Sequence, residues 1–189
     1  MKAEKIDGNS VGGKRTKLAD VLPLDTPFLV QIFPAYACDF SCNYCIHSLP
    51  TEKRGFIANK SIMDFDFYKK CINDLKEFPQ KIKMLRFAAT GEPLLHPKIA
   101  EMVKYAKEKD VANSLDIVTN ASLLTKELSD KLIDAGLDWL RISVQGLSSD
   151  KYKEVCGVEI DFNNFVESIR YFYNNRGSTK IISRSLIVR

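Results

Sequence analysis

From residue 28 onward, apolar positions alternate between two rhythms. Residues 28–34, FLVQIFP, form a short apolar run that predicts a strand. Residues 61–78 repeat apolar side chains at helical spacing, with Ile62, Phe65, Tyr68, Ile72 and Leu75 on one stripe. Ser61 and Asp64 are placed to cap that helix. Residues 83–89 predict a second strand, and 97–109 a helix with Pro97 at its first position. Residues 114–119 predict a third strand, and 125–135 a helix stopped by Gly136. A fourth strand spans 138–146. A helix on Phe162, Phe165, Ile169 and Phe172 covers 161–174, and a fifth strand 181–188.

Strands that alternate with helices through short links run parallel, with right-handed helical crossovers. The product is an open doubly wound sheet or part of a (β/α) barrel. Patterning within the strands favours the barrel. Leu140, Ile142 and Val144 alternate with Arg141, Ser143 and Gln145, and Leu115 and Ile117 alternate with Asp116. Side chains two apart share a face, so one face is polar. A sheet covered by helices on both faces would bury those groups at a cost, whereas a partial barrel gives them a wet interior. The predicted fold class is therefore α/β, a partial TIM-like barrel of parallel strands. Ligands in such folds sit at the carboxyl ends of the strands.

Residues 1–26 are rich in Gly, Lys, Asp and Ser and show no periodicity, which predicts a flexible amino-terminal arm; residues 27–189 form the core. The arm holds Gly8-Asn-Ser-Val-Gly-Gly13-Lys14, which matches the start of a phosphate-binding loop. Arg15 stands where Ser or Thr would hold magnesium, and no buried strand precedes it, so the match fails. With 189 residues, 45% hydrophobic, the chain supplies one domain with a real core. A net charge of +4 without a basic block gives no sign of nucleic-acid binding. The polar start has no signal-peptide character, and no apolar run is long enough to span a bilayer, so a cytoplasmic protein without a membrane partner is expected.

Five cysteines, an odd number, argue against a disulfide framework. Three of them crowd into Cys38-Asp-Phe-Ser-Cys42-Asn-Tyr-Cys45, directly after the first strand. Three thiolates on one loop are the ligand type for iron–sulfur iron, and three ligands for a four-iron cubane leave one iron open. A structural zinc site with His47 or Cys71 as fourth ligand is the competing reading, but the spacing is uncommon for zinc and no second Cys pair follows.

CxxxCxxC with an aromatic residue before the last Cys resembles the signature of the radical S-adenosylmethionine (SAM) superfamily. The resemblance covers residues 27–188. It implies that Cys38, Cys42 and Cys45 bind a [4Fe-4S] cluster. It further implies that the open iron chelates the methionyl part of SAM, and that the reduced cluster cleaves SAM to a 5′-deoxyadenosyl radical. Tyr44 then borders the adenine. Thr90-Gly91-Glu92-Pro93 resembles the family's GGEP motif: Gly91 lets backbone approach a ligand, Glu92 pairs with the methionyl ammonium, and Pro93 fixes the turn. Thr119-Asn120 resembles the start of the TNG segment, with Ala121 in place of Gly, and places Asn120 at the ligand. Ile142-Ser-Val-Gln-Gly146 resembles the ISxDG segment of the SPASM-type, peptide-modifying branch; Ser143 then meets the ribose, and Gln145 replaces the branch's Asp. Arg141 has two readings, a contact to the ligand carboxylate or a partner for Asp116. The resemblance also implies an electron donor such as flavodoxin or ferredoxin, and an unknown peptide or small-molecule substrate.

Outside these motifs, His96 is expected to cap the following helix and His47 to lie on the loop after the cysteines. Cys71 and Cys156 (near the end of a short helix) are expected to be structural, and Trp139 to lie in the core. The family's barrels have six strands, whereas five are predicted here. The chain is therefore expected to be the amino-terminal portion of a longer enzyme, a catalytically incompetent cluster- and SAM-binding fragment, or a barrel completed by a partner.

Overall fold

The computed structural model describes residues 17–20, 22–55, 61–88 and 90–185. The Gly8–Lys14 stretch, most of the predicted arm and the last residues of the predicted fifth strand lie outside the described residues. Five strands, β1 (Leu29–Ile32), β2 (Met84–Phe87), β3 (Leu115–Thr119), β4 (Trp139–Val144) and β5 (Lys180–Ser185), form one parallel sheet in the order of the sequence. Helices α1 (Phe65–Asp74), α2 (Ile99–Lys109) and α3 (Lys126–Asp134) cross between successive strands; α4 (Ser149–Cys156) and α5 (Phe162–Asn175) follow β4. Sequential strand order with helical crossovers is the arrangement of a partial (β/α) barrel.

Registered partners in a parallel pair share a face, which sorts the strand side chains. Leu85, Phe87, Leu115, Ile117, Leu140 and Ile142 are almost fully buried together with Tyr68 and Ile72 of α1, Met102 and Val103 of α2, Leu132 of α3 and Phe172 of α5. The opposite, inner face carries Leu29, Met84, Arg86, Asp116, Val118, Trp139, Arg141 and Ser143. The polar face expected from β3 and β4 is thus the concave one. Trp139 departs from the expected core: it is half-buried on that face, with Lys180 Nζ 4.7 Å and the Arg141 guanidinium 5.2 Å from its ring centre.

Element starts follow their caps. Asp64 accepts from the N–H groups of Asp66 and Phe67 at 3.0 and 2.9 Å, and helix α1 begins at Phe65. Ser61 and Ile62 are not part of it, because they pair with the chain ahead of the cysteines. Ser61 O accepts from Tyr36 N at 2.7 Å, and Ile62 bridges antiparallel to Ala35. Pro97 likewise falls outside α2, since His96 shapes a turn first: its Nδ1 accepts from Lys98 N at 3.0 Å and its carbonyl from Ile99 N at 3.1 Å. His96 Nε2, 2.9 Å from Met63 O, acts as the donor there. Among the described residues no helix is long and apolar enough to cross a membrane.

Candidate functional site

The carboxyl ends of β1 to β4 each deliver a loop, and these loops meet. After β1 the chain passes Ala35 and Ala37 and enters the cysteine loop. Cys42 is buried, Cys38 and Cys45 are half-buried, and none is in a disulfide. The loop is folded on itself by Cys45 N donating to Cys42 O at 2.8 Å and by Phe40 N donating to Cys38 Sγ at 3.5 Å. Its middle is held from outside by α4. Ser41 N donates to Cys156 O and Asn43 N to Val155 O, both at 2.9 Å, and Phe40 packs edge-on against Tyr152 with ring centres 6.0 Å apart. Burial pushes the Cys38 thiol up to about 11; the carboxylates of Asp39 and Glu92 and the Cys42 sulfur add to this, and the Phe40 N–H opposes it. A cation bound at the sulfur would favour the thiolate against this.

The turn after β2 docks onto the base of this loop. Gly91 adopts φ +121°, and a Cβ there would lie 2.1 Å from Ala35 O and 3.0 Å from Ala37 O. Its missing side chain therefore allows the approach of its own backbone to the β1 exit. Glu92 N donates to Ala37 O at 2.8 Å, closing the same contact. The Glu92 side chain is 2% exposed. Its Oε1 accepts from Leu94 N at 2.9 Å and from Thr119 Oγ1 at 2.6 Å, and its Oε2 from Asn120 N at 2.8 Å. Burial raises it to about 7, with the Asp39 carboxylate adding to this, against these three donors. Pro93 is buried at the start of the short 3-10 turn Pro93–Leu95, capped by Glu92.

Beyond β3, Asn120 Nδ2 donates to Asp39 Oδ1 at 2.9 Å and approaches Cys38 Sγ at 4.0 Å. Ser122 Oγ donates to Asp39 Oδ2, and Ser122 N to Asn120 Oδ1 at 2.9 Å. Ala121 sits at φ +60°, a left-handed conformation, which explains why a glycine suits this position in the TNG segment. Asp39 and Ser122 were not singled out from the sequence. The available signal was an acidic residue beside a candidate ligand, with a hydroxyl two residues past Asn120.

From β4, Gln145 is buried and its Oε1 accepts from Tyr44 Oη at 2.5 Å. Tyr44 is 49% exposed, so its ring borders the open side of the loop. Ser143 is half-buried on the inner face below Gln145. Arg141 meets Asp116, as one of its two readings expected: Asp116 also takes Arg86 Nε at 3.2 Å and Nη2 at 3.1 Å, and its side chain has no exposure.

The other candidates separate from this cluster or gain a place in it. His47 is buried on the turn after Cys45, with Nδ1 3.5 Å from Arg54 Nη1 and its ring 5.6 Å from that of Tyr36. Cys71 lies on α1, within the sheet-covering layer. Neither approaches the loop as a fourth zinc ligand, and among the described residues no three His, Cys, Asp or Glu side chains converge as a single-ion site. Cys156, expected to be structural only, lies against Cys42; burial and that sulfur push its thiol up to about 12. Three sulfurs on one loop, one flank open at Tyr44, suit a cluster larger than one ion.

A profile of the Radical SAM superfamily matches residues 32–187. A GTP 3′,8-cyclase of Chlorobaculum tepidum is 33% identical over 127 residues, covering 67% of this chain and 35% of its own length. A PqqA peptide cyclase of Bradyrhizobium diazoefficiens is 28% identical over 144 residues, covering 76% and 35% respectively. The chain thus spans about a third of the length of these relatives. In fold it is similar to SuiB of Streptococcus suis bound to S-adenosylmethionine, with a TM-score of 0.66 at 20% identity, over 91% of this chain and 37% of that one.

Proposed function

Because the chain belongs to the radical SAM superfamily, we propose that Cys38, Cys42 and Cys45 hold a [4Fe-4S] cluster beside a bound SAM, in the core of a hydrogen-abstracting enzyme. When bound and reduced, the cluster supplies the electron that cleaves the carbon–sulfur bond of SAM to give a 5′-deoxyadenosyl radical. The observation that carries this reading is the convergence of the loops after β2, β3 and β4 on the three-cysteine loop that follows β1. Each tie is a named bond: Glu92 N to Ala37 O, Asn120 Nδ2 and Ser122 Oγ to Asp39, and Tyr44 Oη to Gln145.

The chain's own residues then divide the work. The cysteine loop presents the sulfurs. Glu92 offers the methionyl ammonium a dry carboxylate, and charge-assisted bonds are strongest in such a setting. Gly91 and Pro93 set the height of that carboxylate, and Asn120 anchors both Glu92 and Asp39. Tyr44, pinned by Gln145, borders the adenine, and Ser143 faces the ribose from β4. The likeness to the peptide-modifying SPASM-type branch and the peptide-cyclase relative favour a peptide substrate. A low-potential protein such as flavodoxin or ferredoxin is the electron donor. Residues 27–189 form the core of this machinery.

Two variants, each compared with the parent after anaerobic reconstitution, test the assignment. Cys42→Ala loses the cluster iron, since two thiolates cannot hold the cubane. Glu92→Ala keeps most of the iron but binds SAM at least about tenfold more weakly, the loss expected from one charge-assisted bond. Equal iron loss in both variants would show that Glu92 serves the loop alone.

A further inference from the structure

Helix α4 does more than cover the sheet. The amide groups on either side of Cys42, those of Ser41 and Asn43, donate to the carbonyls of Cys156 and Val155, both at 2.9 Å. This paired contact sets Cys42 opposite the last residue of α4, and both side chains lie in the same buried core cluster. Cys42 is 9% exposed and Cys156 not at all, so water does not compete for either sulfur. Around them, Phe40 packs on Tyr152, and Tyr152 Oη accepts from Gln145 N at 3.3 Å, which fixes the helix end against the loop. Gly157 terminates α4 in the left-handed conformation with Ser41 beneath it, and its N–H bonds back to Lys153 O at 3.1 Å. Both partners of the Cys42–Cys156 contact therefore sit on backbone that is fixed twice over.

We propose that Cys156 is a positioning residue of the cluster site, whose S–H donates to the Cys42 sulfur and raises the reduction potential of the cluster that Cys42 ligates. This rests on the radical SAM reading of the cysteine loop. The physical reason is general. Reduction adds negative charge to the cluster and its thiolates, and a donor held against a ligating sulfur favours the more negative state. A buried donor, with no water to replace it, is the kind whose removal is felt.

The experiment uses Cys156→Ser, Cys156→Ala and Cys156→Val in the full chain. Each is reconstituted anaerobically, assayed for iron and sulfide, and titrated potentiometrically with electron paramagnetic resonance detection of the reduced cluster. Serine keeps a donor, alanine removes it, and valine removes it while filling the space. The expected result is iron content near that of the parent in all three, a midpoint shifted to more negative potential in Ala and Val, and little shift in Ser. Equal midpoints in all four proteins would overturn the proposal, and so would a Ser variant that shifts as far as Ala. Iron loss shared by Ser, Ala and Val would overturn it too, since the sulfur would then matter as a ligand or as packing. A parent protein that takes up no cluster would instead defeat the underlying reading of the loop.

Discussion

Glu92 is the most exposing residue of the site to a test by pH. Its carboxyl, raised by burial to about 7 from the ordinary 4.5, is protonated in the folded chain at pH values where the unfolded chain has lost that proton. Stability from this group is therefore complete below about 4.5 and disappears as pH rises through 7, on the order of 3 kcal/mol in all. Urea unfolding of the iron-free chain at pH 5 and pH 8 measures it. The parent loses stability across that interval relative to Glu92→Gln, whose amide does not titrate; parallel behaviour of the two proteins contradicts the assignment. Little of this was legible in the sequence. A Glu before Pro announces a turn, but its burial depends on Thr119 and Asn120, residues remote in sequence that reach it only through the pairing of β2 with β3.

The elements themselves were readable where one periodicity dominated. Strands β1 to β4 and helices α2, α3 and α5 fall close to the stretches that their patterns predict, because each buries one continuous stripe against a neighbour. Helix α1 starts later than its stripe suggests, since Ile62 pairs with Ala35 before the helix can begin. Helix α4 is the short helix expected to end near Cys156; it gives Tyr152, Val155 and Cys156 to the core, and its clamping of the cysteine loop followed only from the structure. At this scale Gly91 is the critical joint between β2 and the β1 exit. Gly91→Ala forces a left-handed φ on a residue with a Cβ and drives that Cβ into Ala35 O. The expected cost is at least about 2 kcal/mol, read as a lower thermal midpoint, with poorer cluster loading. Unchanged stability would mean that the turn can dock elsewhere.

Across the whole molecule, the concave face is held by one buried anion between two guanidinium groups. Asp116 joins β3 to β2 through Arg86 and to β4 through Arg141, under the site. Asp116→Ala leaves both cations without it, and a loss of about 3 kcal/mol is expected in chemical unfolding; a change within about 0.5 kcal/mol would show that water replaces the carboxylate. Alternation along β3 and β4 foretold a polar inner face, while the identity of the pair followed only from strand register. The same register carries the ends of β2, β3 and β4 to the cysteine loop that follows β1, so what that loop binds decides the function. Its most direct test is anaerobic reconstitution with iron and sulfide, then chemical reduction in the presence of S-adenosylmethionine. The expected result is a brown protein with about four irons per chain that releases 5′-deoxyadenosine. A colourless, iron-free protein, or a fully loaded one that never forms this product, would contradict it.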